Sequence, residues 1–260
     1  MKRSSGARRG AAATVSVLSL ALLTGCGGGS DDDAKASGAS KGSGSSSANS
    51  APAAKARSAA ELEKLLLAKG DVAGYEVDNG DDTLPKTKGE VKTDKAACAP
   101  LAHAMAGLAP GDTDAGASNT VTKSPEATGS ADDSEIQALN VEMTFVGLSS
   151  YDGDGAEKAL KAVSDGIAAC SGGFTMTAEG EKQKMTKVAK EKASGKGDES
   201  VAFSVGSDMD GEGTATFNTE VVRVGNTVST YYTVDFASLE SGKAAPVSAA
   251  VVDAQVAKLR

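Results

Sequence analysis

The chain has no tryptophan, one histidine, three cysteines, four tyrosines and five phenylalanines among its 260 residues. A core drawn from this composition has to rest on valine, leucine, alanine and methionine. A single histidine, His103, excludes a multi-histidine zinc centre. Any histidine-dependent triad would have to use it, yet no serine of residues 58–260 stands in a G-x-S-x-G elbow. No C-x-x-C pair, no phosphate-binding G-x-x-x-x-G-K-[ST] and no strand-linked G-x-G-x-x-G is present. There is also no apolar run long enough to cross a bilayer; the longest, Ala11–Leu23, has 13 residues.

That run has the length of a signal-peptide core instead. Lys2, Arg3, Arg8 and Arg9 precede it, and Leu23-Thr24-Gly25-Cys26 closes it with small residues before a cysteine. The order of basic region, apolar core and box resembles a bacterial lipoprotein leader. The resemblance implies removal of residues 1–25 and acylation of Cys26. Two or three acyl chains hold a protein on a bilayer where one would not. Removing residues 1–25 takes away four basic and no acidic side chains, so 27 basic residues become 23 against 35 acidic, a net charge of −12. So acidic a chain is no general nucleic-acid binder, because such binding needs cationic surface to displace counterions. Anionic head groups would repel it too, which leaves anchoring to the acyl chains. Residues 26–57, the lipidated cysteine and a stretch of Gly, Ser, Ala, Asp and Lys, cannot bury enough apolar surface to order themselves. They are expected to form a flexible tether with a root-mean-square span of roughly 30 Å.

Residues 58–260 fit one domain. Its clearest signal lies between Thr214 and Phe236, where two runs rich in β-branched and aromatic residues flank Gly225-Asn226. Placing the turn there pairs Val224 with Thr227, Val221 with Thr230, Phe217 with Val234 and Ala215 with Phe236. One face then carries Ala215, Phe217, Val221, Val228, Tyr232, Val234 and Phe236; the other carries Thr216, Asn218, Glu220, Ser229, Tyr231 and Asp235. The expected hairpin is half-buried and central in a sheet. Elsewhere the pattern predicts a helix capped by Ser58 and Glu61, a second over about 93–107, and a strand over 135–149. A third helix follows from Asp154 to Cys170, then strands beginning at Phe174 and Val201. Residues 182–192 read as a lysine-rich edge strand or short helix, residues 71–94 as irregular, residues 124–134 as a loop, and Pro246 as the opening of a last helix. The order is α+β, with a central, mainly antiparallel sheet and packed helices.

Cys98 and Cys170 lie on the apolar faces of their helices. In an exported protein the default is one disulfide between them, closing a 72-residue separation; two buried free thiols are the alternative. Asp152-Gly-Asp154-Gly and Asp208-Met-Asp210-Gly open like calcium loops. Their twelfth positions, Val163 and Thr219, lack the glutamate such loops need, so helix capping and turn formation account for them. Lys182, Lys184, Lys187, Lys190, Lys192 and Lys196 form a local charge inversion, read as a solvated strand surface or a reader of anionic polymer.

The leader, a helix ending near Gly74-Tyr75, the Cys98-Ala-Pro-Leu101 opening, the helix ending in Cys170, Gly197-Asp-Glu-Ser-Val201 and Val222-Arg-Val-Gly-Asn-Thr-Val228 together form a pattern. It resembles actinobacterial lipoproteins similar to the extracellular sensor domain of membrane serine/threonine kinases. The resemblance implies an α+β domain, a cleft between sheet and helices, and a ligand-sensing role. Those sensor domains carry two disulfides, and this chain has cysteines for one besides Cys26.

The reading is therefore a non-enzymatic sensor-like domain on the outer face of the plasma membrane, with no cofactor and no metal. Its partners would be the bilayer, through acylated Cys26, and a small molecule, a wall component or an envelope protein. Arg223, Tyr231 and Tyr232 on the hairpin are the candidate ligand contacts. A scaffold lipoprotein that docks through its surface, without a small-molecule ligand, is the competing reading. In cell fractionation, Cys26→Ala is expected to leave the membrane fraction while the unaltered chain stays there; a variant that remains membrane-bound removes the acyl anchor from the account.

Overall fold

The computed structural model describes residues 55–79, 84–123, 141–211, 213–235 and 244–260. Cys26, the leader, the loop expected over 124–134, the part of the expected strand before residue 141, and Phe236 lie outside the described residues. In chain order the elements are α1 (Ala59–Glu63), β1 (Tyr75–Asp78), β2 (Val91–Thr93), α2 (Ala99–Met105), β3 (Gly116–Lys123), β4 (Glu142–Ser150), α3 (Gly155–Ala169), β5 (Phe174–Ala178), β6 (Glu181–Glu191), β7 (Glu199–Asp208), β8 (Thr214–Val224), β9 (Thr227–Asp235) and α4 (Ala249–Leu259). The strands form one antiparallel sheet in the order β1-β3-β4-β9-β8-β7-β6-β5-β2.

The β8–β9 hairpin has the expected register, with Val224 opposite Thr227 and Val221 opposite Thr230. Gly225 supplies a φ of 60° while Asn226 keeps a negative φ, the combination of a two-residue II′ turn. β4 pairs along the whole outer side of β9 and β7 along β8, so the hairpin is indeed central.

It is not half-buried, however. On one face Val221 and Val228 pack with Phe203 and Val205 beneath α2 and α3. On the other, Val222, Val224 and Tyr231 join Val146 and Leu148 beneath the α1 segment and α4. The expected polar face therefore carries a second core. Val222 and Val224 are the residues that build it, and α4 brings Val251, Val252, Val256 and Leu259 onto them. The fold is three layers, helices on each side of a sheet.

Each helix is shaped by its apolar spacing. In α3, Ala156, Leu160, Val163 and Ile167 are buried along one stripe. Asp154 occupies the position before α3, and its carboxylate pairs with Lys158 at 2.8 Å without capping the helix amides. α1 is a short helix of five residues opened by the Ser58/Glu61 capping box, in which the Ser58 N–H donates to Glu61 Oε2 at 2.8 Å. α2 starts at Ala99 after a 3-10 turn, and Thr93 belongs to β2. α4 begins at Ala249 behind Ser248, three residues beyond Pro246.

Two short strands emerge from the stretch expected to be irregular. β1 and β2, four and three residues long, stand at the two edges of the sheet. Short edges offer little ladder to another chain. β6 is a strand, as one of the two options held; it lies between β5 and β7 over residues 181–185 and pairs with β7 alone over residues 187–191, where it forms an edge. Met185 and Val188 enter the core beneath α2 and α3, while Lys182, Lys184, Lys187 and Lys190 are exposed.

One close approach ties α2 to the sheet. A Cβ at Gly147 of β4 would sit 2.2 Å from the carbonyl oxygen of Gly107, in the turn that ends α2. Only glycine permits that contact. Cys98 and Cys170 are joined in a disulfide with a Cα–Cα distance of 5.9 Å, linking the start of α2 to the end of α3. Both cysteines are fully buried. Replacing both by alanine is expected to lower unfolding free energy by roughly 4 kcal/mol on the chain-entropy model, with urea denaturation as the measurement.

Candidate functional site

The three hairpin candidates do not converge. Tyr231 and Tyr232 are consecutive strand residues, so the pleat sends them to opposite faces. Tyr231 is fully buried in the core beneath α1 and α4. Burial pushes its pKa far above the usual tyrosine range against a smaller opposing effect of the nearby Ser229 hydroxyl, with which no hydrogen bond of normal geometry forms. Tyr232 faces the α2/α3 side, where its ring stacks on Phe145 at 6.0 Å and tilts against Phe217 at 5.6 Å. Burial raises its pKa in the same way.

Arg223 shares the face of Tyr232 but stands at the turn end of the hairpin. Its guanidinium lies 3.5 Å from Asp198, 3.8 Å from Glu199 and 4.0 Å from Glu157, and it donates to the Gly225 carbonyl at 3.2 Å. Asp198 in turn accepts from the Gly225 N–H at 2.7 Å. This group braces the turn of the hairpin. The three side chains thus have packing and bracing partners within the protein.

A hollow does lie beside the hairpin. It measures about 470 Å³ and sits between β7, β8 and the approach to α4, with Ala202, Glu220, Val247 and Val252 among its walls. Two of its polar side chains are already engaged, while the buried Thr219 hydroxyl has no partner. The buried Glu220 carboxylate accepts from the Ser194 N–H at 2.8 Å and from the Ser194 hydroxyl, and Asn218 donates to the Ala245 carbonyl at 2.8 Å.

A second cleft, of about 450 Å³, lies at the other side of the sheet. One wall is the start of β3, Gly116-Ala117-Ser118; a second is the segment Leu84–Lys88; Gly107, Leu108 and Ala109 close it behind α2. Its position follows from the glycine contact described above: α2 ends on β4 at Gly107, and Leu84 and Ser118 flank that glycine at 3.4 and 3.5 Å from where a Cβ would stand. Leu84, Pro85, Leu108, Ala109 and Ala117 supply apolar lining. On the rim, the Lys88 ammonium donates to the Gly111 carbonyl at 3.0 Å and stands 4.0 Å from Asp114. Asn79, Lys86, Thr87, Thr113 and Ser118 add polar lining, so the cleft offers apolar and polar surface together, within the size range of small-ligand sites. Nothing in the sequence marks this cleft, because 84–88 and 109–118 carry neither helical nor strand periodicity.

The remaining sequence candidates have ordinary surroundings. His103 is half-buried on α2; burial, and then the charge of Lys88, hold its pKa below the usual histidine value, against a weaker opposing hydrogen bond to the Val91 backbone. Lys184 approaches Asp208 at 3.7 Å and Lys196 meets Asp253 at 2.8 Å, all at solvent. Among the described residues no group of three His, Cys, Asp or Glu side chains could hold a metal ion, and no helix is long and apolar enough to cross a membrane.

No family model matches the chain, and no curated protein sequence does. Among solved structures it is similar to the extracellular domain of PknH from Mycobacterium tuberculosis, at 13% identity and a TM-score of 0.45, over 79% of this chain and 95% of that one. A likeness this slight assigns no role to any residue here.

Removing the Tyr231 hydroxyl leaves no partner unpaired. Tyr231→Phe is therefore expected to be neutral or to stabilise the domain by up to about 1–3 kcal/mol, the range for an unsatisfied buried group. A loss of more than about 1 kcal/mol in chemical denaturation would show that the hydroxyl is engaged after all.

Proposed function

We propose that this chain is a non-enzymatic binding protein held on the outer face of a plasma membrane by acylated Cys26. In this reading its domain takes a ligand in the cleft between β3 and the 84–88 segment. Export is supported by the leader pattern ahead of Cys26 and by the buried Cys98–Cys170 disulfide, a bond that persists in oxidising compartments. Binding without turnover is supported by the character of the cleft. Its walls offer apolar surface, worth about 25 cal/mol for each Å² removed from water, and neither histidine nor cysteine is among its described lining residues.

The observation that carries the proposal is the geometry of that cleft. In the hollow beside the hairpin, the Glu220 carboxylate and the Asn218 amide are bonded by the chain itself. The β3 cleft keeps backbone groups of a strand turned into its space. Arg223, Tyr231 and Tyr232 have no part in this site; they hold the hairpin that the sheet is built on.

Native mass spectrometry of the protein purified from its own membrane tests the reading. A co-purifying mass is expected on the unaltered chain and should be absent from Thr87→Trp, in which a large ring placed at the exposed Thr87 position fills the cleft mouth. If no mass accompanies the protein, or Thr87→Trp keeps it, the cleft is not the site, and the surface-docking scaffold becomes the better account.

A further inference from the structure

The β3 cleft has a feature that a pocket for a compact molecule does not need. β3 runs from Gly116 to Lys123 and pairs with β4 from Gly116 to Thr122. On its other side β1 covers only residues 120–123, ending at the pair Asp78–Thr120. Asn119 is met there by the side chain of Asn79, with Asn119 Nδ2 donating to Asn79 Oδ1 at 2.9 Å. Gly116, Ala117 and Ser118 have no strand partner on that side among the described residues.

The direction of their backbone groups follows from the ladder. The Ser150 N–H donates to the Ala115 carbonyl at 3.2 Å, so residue 115 bonds toward β4. In an antiparallel pair the bonding direction alternates along the strand. Ala117 and Asn119 therefore bond toward β4 as well, while Gly116 and Ser118 turn their N–H and C=O groups outward, into the cleft. All three residues are half-exposed. Gly116 has no side chain to obstruct an approach from that side. The sheet's two edge strands are kept very short, the usual protection against unwanted pairing. Among the described residues this stretch is uncovered, and Leu84, Pro85 and Leu108 stand beside it together with the polar Thr87 and Lys88.

Resting on the cleft being the binding site, we infer that its ligand is an extended peptide that adds to the sheet as a strand beside Gly116–Ser118, continuing the line of β1. Recognition by strand addition draws affinity from main-chain hydrogen bonds and selectivity from alternate side chains. Here the outward groups of Gly116 and Ser118 bond the peptide backbone. Every second peptide side chain then turns toward Leu84 and Leu108 and is apolar, and the intervening ones face away and are unrestricted.

An array of randomised, end-blocked peptides, probed with the purified folded domain, tests this in two ways. Peptides with apolar residues at alternate positions are expected to bind. N-methylation of the binders at alternate residues, on the bonding edge only, should weaken binding at least about tenfold, while methylation on the opposite edge leaves it unchanged. Ser118→Pro, which deletes an outward N–H but spares the bonds of Ala117 and Asn119 to β4, should weaken binding to a similar degree. The methylation series uses the unaltered protein, so the proposal stays testable if Ser118→Pro misfolds. An array without binders overturns strand addition, as do binders indifferent to methylation. A co-purifying small molecule that Thr87→Trp excludes and Ser118→Pro retains leaves the cleft standing and removes the peptide. Dimerisation that Ser118→Pro abolishes, with no peptide binding, assigns the edge to a second copy of this chain instead.

Discussion

Burial of the central strands on both faces is the constraint that shapes this domain. β8 and β9 contribute Val221 and Val228 to one core and Val222, Val224 and Tyr231 to the other. A strand covered on one side would need one helical layer. These need two, so α2 and α3 lie on one surface and the α1 segment with α4 on the other. With no tryptophan and few aromatics, each core is assembled from many small apolar contacts of tenths of a kcal/mol. Such cores depend on close fit. The Gly107–Gly147 contact and the disulfide between α2 and α3 hold one helical layer to the sheet and limit how far it can shift.

The same arrangement accounts for where the cleft falls. α2 is only seven residues long and ends where glycine meets glycine. Beyond that point no helix of the described residues covers the outer corner of the sheet, and β1 is too short to reach along β3. The hollow is left where two short elements stop. In this it differs from the hollow beside the hairpin, whose carboxylate and amide are bonded by the chain itself.

Local alternation in the sequence was enough to place the central hairpin, its turn and its register, because Gly225-Asn226 and the β-branched runs on either side admit one pairing. α3 was equally legible from the spacing of Ala156, Leu160, Val163 and Ile167. The second core was not, since Val222 and Val224 look like chance apolar residues on a polar face until α4 is seen to cover them. β1 and β2 are too short to show a period. The lysines of β6 mark an edge only in its second half, beyond the reach of β5; in the first half they lie on an exposed surface between two strands. The candidate site was illegible for a different reason: Leu84, Leu108 and Ser118 are brought together by where α2 and β1 stop, and no local pattern encodes a stop on a distant strand. Arg223, Tyr231 and Tyr232 attracted notice as polar and aromatic residues on a strong hairpin; their roles are packing and bracing.

The first described residues of the chain are fastened to the middle of the sheet. The Ala56 N–H donates to Asp152, the Arg57 N–H to Ser150 at 2.9 Å, the Arg57 guanidinium to Thr227, and Asn226 to the Lys55 carbonyl at 2.8 Å. Tension drawn through the preceding chain would therefore load the turn of the central hairpin and the end of β4 together. Several bonds would have to yield at once before α1 could be drawn away. Force entering there would meet several hydrogen bonds in parallel at the turn end of β4 and β9, and would bypass the short outer strands β1 and β2.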